Sequence, residues 1–206
     1  LLKCLVGLLS PDNGKVLFDG RYFTESDKNT TTQIRREIGM LFQGSALFDS
    51  LSVEENIAFP LRMFTKMSEE EIIERVNFCL KRVNILNKNS LYPSEISGGM
   101  QKRVAIARAI SMKPKYLFCD EPNSGLDPVT AIVIDELIQE LTKEYEMTTI
   151  VITHDMNSVL EIGENILFID GGVKKWEGSK EEILDVKVKE LYDFVYVSKF
   201  LQKMKK

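Results

Sequence analysis

Two apolar segments, each followed at once by polar residues, constrain the fold of this chain more than any other feature. The first, Tyr116–Cys119, runs into Asp120-Glu121, and the second, Thr148–Ile152, runs into Thr153-His154-Asp155. Between them, Pro128–Glu144 has the length and apolar spacing of a helix. Uninterrupted apolar strands are buried on both faces, and a strand–helix–strand order joins parallel neighbours. The pattern therefore predicts an α/β fold built on a parallel sheet.

The middle of the chain has a helical pattern instead. Ser68 and Glu71 have the spacing of a capping box, and the apolar residues after them recur at helical intervals. We expect a helical subdomain at about residues 52–112, inserted into a domain that spans residues 1–184. Residues 185–206 are expected to form an amphipathic helical tail, docked on its own domain or in contact with a partner or a membrane surface.

Turn residues predict the smaller elements. Asp19-Gly20 and Gly171-Gly172 each lie between short apolar runs and are typical of β-hairpins. The polar segment Thr24–Thr32 is expected to be a loop.

Composition excludes several classes of protein. The net charge of −4, from 27 basic and 31 acidic residues, argues against a partner that is nucleic acid. Three cysteines without a C-x-x-C pair predict reduced thiols, as in a cytosolic protein, and Cys119 is expected to be buried. The apolar runs are too short to cross a bilayer, and no secretory leader is visible. The chain opens on Leu1 without an initiator Met, so we expect further sequence upstream.

Acidic residues at a strand end are candidates for metal binding and catalysis. Ligands bind at the carboxyl ends of strands in open α/β sheets, where Asp120 could hold Mg²⁺ and Glu121 could polarise a water. A pair of solvated acids is the alternative for an isolated Asp-Glu pair. Asp127 begins a helix at Pro128 and could be only its N-cap. His154 is the single histidine. A lone histidine is usually structural or incidental, but its place after the next strand favours contact with a terminal phosphate.

Ser97-Gly98-Gly99-Met100-Gln101 precedes a helix rich in small residues. Glycines allow backbone amides to approach a ligand, and a helix N-terminus attracts anions such as phosphate. A flexible turn with a serine cap is the alternative interpretation, because Ser-Gly-Gly alone is common in linkers.

Taken together, these segments resemble a known family. Gln43, Ser97–Gln101, Asp120-Glu121, Ser124–Asp127 and His154 resemble, in order and spacing, the Q-loop, signature, Walker B, D-loop and H-loop of ABC ATPases. The resemblance extends from Leu1 to about Leu184. It implies a P-loop NTPase-like sheet with an inserted helical signature subdomain.

The resemblance also implies roles, with ATP and Mg²⁺ as cofactors and two copies enclosing two ATP molecules. Asp120 would bind Mg²⁺, Glu121 would be the general base, and His154 would hold the γ-phosphate. Gln43 would touch Mg²⁺ or the attacking water and report the nucleotide state to a transmembrane permease subunit. The residues that act across the homodimer would be Ser97, Gly98, Gly99, Met100 and Asp127.

Two departures from the family pattern stand out. The signature has Ile96 and Met100 where leucine and glutamine are usual, and activity is expected to survive both changes. The Walker A pattern G-x-x-x-x-G-K-[ST] does not occur, and Gly14-Lys15-Val16 stands in the wrong context for it. We therefore expect residues 1–206 alone to bind ATP poorly and to hydrolyse it barely, the function belonging to an intact subunit.

The amino-acid sequence of Gly44–Arg62, together with the SGGM signature, is most similar to the ATPases of Mce-linked phospholipid transport systems. This implies a peripheral subunit on the cytoplasmic face of the inner or plasma membrane, with an Mce-domain solute-binding protein as a further partner. Amino-acid or methionine importers are the competing interpretation. Two other classes are a soluble ABC protein of DNA repair, chromosome organisation or translation, and a non-catalytic ABC subunit. The short spacing between Gln43 and Ser97 argues against the first, and the presence of Glu121 and His154 argues against the second.

Overall fold

The chain forms two compact units, Leu1–Ile152 and Thr153–Lys206, in a computed structural model that describes residues 1–24 and 26–196. The first unit holds five strands and six α-helices among its described residues. Its strands are β1 (Leu17–Phe18), β2 (Arg21–Tyr22), β3 (Ile38–Leu41), β4 (Tyr116–Asp120) and β5 (Thr148–Ile152). Its helices are α1 (Leu2–Leu5), α2 (Lys28–Arg36), α3 (Val53–Phe64), α4 (Glu69–Arg82), α5 (Gly98–Ile110) and α6 (Pro128–Glu144).

The parallel sheet has the order β3-β4-β5, which confirms the predicted α/β class. Its central strand β4 sends side chains alternately to two apolar clusters. Leu117 and Cys119 lie in the larger cluster with α3, α4, α5 and α6, whereas Tyr116 and Phe118 pack with the β1–β2 hairpin and α2. Burial on both faces explains why this strand is apolar at every position before Asp120.

Serine caps set the beginnings of three helices between β3 and β4. Ser52 and Ser68 begin α3 and α4 with complete capping boxes, the second as predicted, and Ser97 caps α5. The apolar faces of α3, α4 and α5 pack against one another and leave one side toward the sheet. The helices therefore form a layer that joins the carboxyl end of β3 to the amino end of β4.

The prediction that Thr24–Thr32 is a loop was wrong from residue 28 onward, where α2 begins. Asp27 caps this helix by accepting from the amides of Asn29 and Thr30. Ile34 is fully buried and fixes α2 against the sheet. Tertiary packing and one cap thus outweigh the low helix propensity of the threonines.

The second unit contains α7 (Met156–Ile162), the antiparallel pair β6 (Ile166–Asp170) and β7 (Val173–Gly178), and α8 (Lys189–Val195). The hairpin predicted at Gly171-Gly172 is confirmed. Leu191 and Val195 of α8 are buried in this unit's own apolar cluster. Residues 197–206 of the predicted tail lie outside the described residues, and the predicted boundaries at 184 and 185 stay a prediction. No helix in the described part of the chain combines the length and the apolar character needed to span a bilayer.

Candidate functional site

The carboxyl ends of β3 and β4 bring polar side chains to one edge of the sheet. Leu41 of β3 pairs with Cys119 of β4, so Gln43 and Asp120 follow the same edge on neighbouring strands. Asp120 pairs with Ile152, the last residue of β5. Asp120 is partly exposed and Gln43 is exposed, so both are open to a ligand.

The backbone turns sharply at Glu121. Its φ of 48° lies in the left-handed region, which is uncommon for a residue other than glycine. Its N–H donates to the carbonyl of Ile152 at 2.8 Å, which continues the pairing of β4 with β5 by one group. The turn at Glu121 therefore follows directly on the last residue of β4, Asp120.

A buried lysine of α5 lies beneath this edge. Lys102 is 4% exposed, and its Nζ donates to the backbone carbonyl of Gln43 and, at 3.5 Å, to that of Glu121. Burial lowers the pKa of Lys102, while the neighbouring acidic groups of Cys119, Asp120 and Glu121 act in the opposite direction. The amide of Gln43 also donates to the hydroxyl of Ser124 at 3.5 Å. The structure thus brings Gln43, Glu121 and Ser124 together around α5.

The Ser97–Met100 turn is the start of α5. The Ser97 hydroxyl accepts from the Met100 amide at 3.3 Å, and Gly98 and Gly99 are the first helical residues. A Cβ on Gly99 would meet the Thr130 methyl group of α6 at 2.8 Å. This close approach requires glycine and fixes the turn against the start of α6. Gly98, by contrast, has open space around it.

Asp127 is the N-cap of α6. Its carboxylate accepts from the amides of Val129 and Thr130 and from the Thr130 hydroxyl. The Thr130 hydroxyl and the two amides hold the pKa of the Asp127 carboxyl below its usual value. The cap confirms the structural alternative considered for Asp127, and a role across a dimer stays a prediction.

His154 belongs to the second unit and is exposed. Asp155, which follows it, caps α7 by accepting from the amide of Asn157 at 2.9 Å. Thr153 accepts from the Asp155 amide at 3.0 Å. Both neighbours therefore fix the backbone on either side of the imidazole.

The donor chemistry at the sheet edge fits Mg²⁺. Asp120 offers a carboxylate and Gln43 an amide oxygen, which are the hard oxygen ligands that this cation prefers. Mg²⁺ is commonly bound by one or two such groups together with the phosphates of a nucleotide.

A second cation of α5, Arg108, fixes the backbone of the segment that follows Gln43. Arg108 donates to the carbonyls of Ser45 and Ala46 at 2.9 and 2.7 Å, and both residues have positive φ. Beyond them the rings of Phe48 and Phe59 lie 4.8 Å apart and remain 43% and 38% exposed. The result is an apolar surface beside the candidate site.

Lys102 and Arg108 were not identified from the sequence. A signal for Lys102 was present, because it lies on the same helical face as Ala105, Ile106 and Ala109, all of which are buried. A cation on a buried stripe needs a polar partner. The backbone carbonyls that serve as its partners cannot be recognised from side-chain patterns.

The sequence of this chain is similar to those of known proteins. The family model described as ABC transporter matches residues 1–124. The intermembrane phospholipid transport system ATP-binding protein MlaF of Haemophilus influenzae is 39% identical over 89% of this chain and 70% of its own length. The probable ribonucleotide transport ATP-binding protein mkl of Mycobacterium leprae is 40% identical over 80% of this chain and 48% of its length. The methionine import ATP-binding protein MetN of Clostridium tetani is 41% identical over 83% of this chain and 54% of its own length. The chain thus spans about half the length of the last two.

Solved structures share the fold. The dimeric ATP-binding cassette MJ0796 in a post-hydrolysis state with ADP and phosphate gives a TM-score of 0.78 at 34% identity, over 87% of this chain and 78% of that one. CbiO1 from Clostridium perfringens, part of an ABC transporter complex, gives a TM-score of 0.82 at 30% identity, over 100% of this chain and 81% of that one. These matches confirm the expected P-loop NTPase-like architecture.

Proposed function

Because the chain belongs to the ABC transporter family, we propose that it is the part of a transport ATPase that hydrolyses ATP. The observation that carries this proposal is the juxtaposition of Gln43, Asp120 and Glu121 at one sheet edge. An ATPase needs a metal ligand and a base at the γ-phosphate, and these side chains supply both chemistries.

In this proposal Glu121 accepts a proton from the attacking water, and Gln43 orients that water or the metal. Asp120 and Gln43 would hold Mg²⁺, which would supply positive charge to stabilise the phosphates of the nucleotide. His154 contacts the γ-phosphate from the chain segment that follows β5. Glu121 follows the carboxyl end of β4, the edge at which open α/β sheets bind ligands.

The Ser97–Met100 turn is proposed to bind the ATP held by a second copy of the chain. Its amides at the N-terminus of α5 favour an anion, and Gly98 leaves room for one. The related cassette MJ0796 is dimeric with ADP and phosphate bound, which supports a dimer here.

The test of hydrolysis is Glu121→Gln in the protein as its native gene encodes it. We expect kcat to fall by about a hundredfold or more, because the amide cannot accept the proton of the water. Glu146→Gln is the matched control, since Glu146 is an exposed glutamate that also has positive φ, at 51°. Parental turnover in the Glu121→Gln protein would reject Glu121 as the base.

We further propose that the Phe48–Phe59 surface binds a transmembrane permease subunit at the cytoplasmic face of the membrane. Adjacent exposed rings mark a contact site, and Arg108 connects this surface to α5. Phe48→Ser should weaken co-purification with the permease while leaving the ATPase rate of the isolated protein unchanged. Exposed Tyr92→Ser, on the loop before α5, is the control. Unaltered co-purification of the Phe48→Ser protein would place the contact elsewhere.

Phospholipid is the proposed cargo, with an Mce-domain protein as a further partner. The support is the similarity to MlaF, which covers more of the relative's length than the other two matches do. MetN is similarly close in identity, so methionine import is the second candidate. Transfer of labelled phospholipid between vesicles, measured against methionine uptake with the same purified complex, distinguishes the two.

A further inference from the structure

A positive charge is buried at the centre of the candidate site, where an acidic side chain would be the usual partner. The Lys102 ammonium is instead held by two backbone carbonyls, those of Gln43 and Glu121. Burial of an ammonium is unfavourable unless its donors are satisfied, and a well-packed apolar side chain is often as stable or more stable at such a place. Stability alone therefore does not account for a lysine here.

The two carbonyls belong to the two residues whose side chains must be aimed at the same phosphate. Gln43 follows β3, Glu121 follows β4, and Lys102 joins them from a third element, α5. Glu121 has φ of 48°, a backbone conformation that is uncommon for a residue other than glycine. Its carbonyl is fixed by Lys102 on one side, while its N–H is fixed by Ile152 on the other.

The same helix carries the turn that is proposed to meet the second copy's ATP. Lys102 lies three residues after Gly99, in the first turns of α5. A displacement of the Ser97–Met100 turn along or around the helix axis therefore also displaces the ammonium and both carbonyls. The helix is a rigid element over this length, so the coupling needs no other intermediate.

We propose that Lys102 is a positioning residue that couples the Ser97–Met100 turn to the catalytic geometry of Gln43 and Glu121. Docking of the turn on ATP would set the position of Lys102, and Lys102 would set the backbone from which the base and the water-orienting amide project. Lys102 itself touches neither ATP nor water in this proposal. The proposal rests on the proposed ATPase function.

The test compares Lys102→Met with Lys102→Arg in the protein as its native gene encodes it, with MgATP as substrate. Methionine has similar length and no donor, whereas arginine keeps the charge and the N–H donors. For Lys102→Met we expect kcat to fall by about tenfold or more while KM for ATP stays within about twofold, because misplaced catalytic groups slow the chemistry and not the binding. Lys102→Arg should recover kcat to within about threefold of the parent, since it can donate to the same carbonyls.

Thermal unfolding separates positioning from folding. Lys102→Met should unfold at the parental temperature or above it, because a buried charge is replaced by an apolar group. If that variant does not fold, Lys102→Gln takes its place with the same expected loss of kcat. Glutamine is shorter, and the 3.5 Å contact to the Glu121 carbonyl would be lost. Lys81→Met, at an exposed lysine of α4, is the matched control and should leave kcat and KM unchanged.

Three results would overturn the inference. They are parental kcat in the folded donorless variant, an equal loss of kcat in Lys102→Met and Lys102→Arg, and a rise in KM with unchanged kcat. Glu121→Gln is assayed in parallel to separate this inference from the proposed function. If Glu121→Gln is inactive while Lys102→Met is fully active, only the coupling by Lys102 fails. If Glu121→Gln is fully active, the assignment of the base fails first.

Discussion

Among the individual side chains, two thiols are hidden from solvent. Cys79 and Cys119 are fully buried, and burial raises their pKa to about 11 and about 12 respectively. Cys119 lies in β4 next to Asp120, so its apolar surroundings extend to the edge of the candidate site. Only Cys4 is partly exposed among the three.

We therefore predict that iodoacetamide at mildly alkaline pH modifies Cys4 in the native protein but neither Cys79 nor Cys119. The two buried cysteines form little thiolate, and the reagent has no access to them. Peptide mass mapping before and after unfolding measures this. Modification of Cys119 in the native protein as fast as that of Cys4 would contradict the packing of β4.

The ion pair between Arg21 and Glu37 predicts how stability depends on pH. The guanidinium donates to both carboxylate oxygens at 3.1 and 2.6 Å and, with Lys115, holds the pKa of Glu37 below its ordinary value of 4.5. A lowered carboxyl pKa stabilises the fold fully above the unfolded value, and that stabilisation is lost as the pH falls through the folded value.

Arg21→Met should accordingly lower the free energy of unfolding at neutral pH and progressively less below pH 4.5. Denaturant unfolding over a pH series measures the difference from the parent. The control is Glu37→Gln, in which the effect of Arg21→Met should not vary over the same pH range. A difference that stays constant or grows as the pH falls in the parental background would contradict the role of this pair.

At the scale of elements, the strands were easier to predict than the contacts between them. β4 and β5 were predictable because burial on both faces leaves a continuous apolar run, and the hairpins because their turns contain glycine. The cap of α4 followed from Ser68 and Glu71, whereas α2 was missed because its stability comes from Ile34 and the Asp27 cap. In the candidate site, the motif residues could be predicted because their side chains form a recognisable sequence pattern. Lys102 could not, because its partners are backbone carbonyls, which no sequence pattern reveals.

The packing of α5 on β3 gives a prediction at this scale. A Cβ on Gly39 would meet the Ala109 carbonyl oxygen at 2.6 Å, so the helix and strand must separate to accept it. Gly39→Ala should lower the free energy of unfolding by about 1–3 kcal/mol, as overpacked substitutions do. Gly44→Ala, where open space surrounds the position, should change it by less than about 0.5 kcal/mol. Equal effects in denaturant unfolding would show that β3 and α5 are not closely packed.

At the scale of the whole molecule, the proposed activity requires two copies. In the proposed dimer, one copy would present Gln43, Asp120 and Glu121 to a bound nucleotide, and the other would present its Ser97–Met100 turn. Each copy would thus contribute residues to both nucleotide sites, and α5 would connect these two contributions within a copy. The dimer is the claim from which the roles proposed for the turn and for Lys102 follow.

The most direct test is the mass of the Glu121→Gln protein, produced from its native gene, with and without MgATP. Blocking hydrolysis should preserve the ATP-bound form, so light scattering should show a monomer without nucleotide and a dimer with it. Gly98→Asp in the same background is the matched control, because the open space at Gly98 accommodates the side chain within a monomer. Its carboxylate would repel the phosphates at the helix N-terminus and should abolish the dimer. A Glu121→Gln protein that stays monomeric with saturating MgATP, or a Gly98→Asp variant that dimerises as well as its parent, would contradict the account.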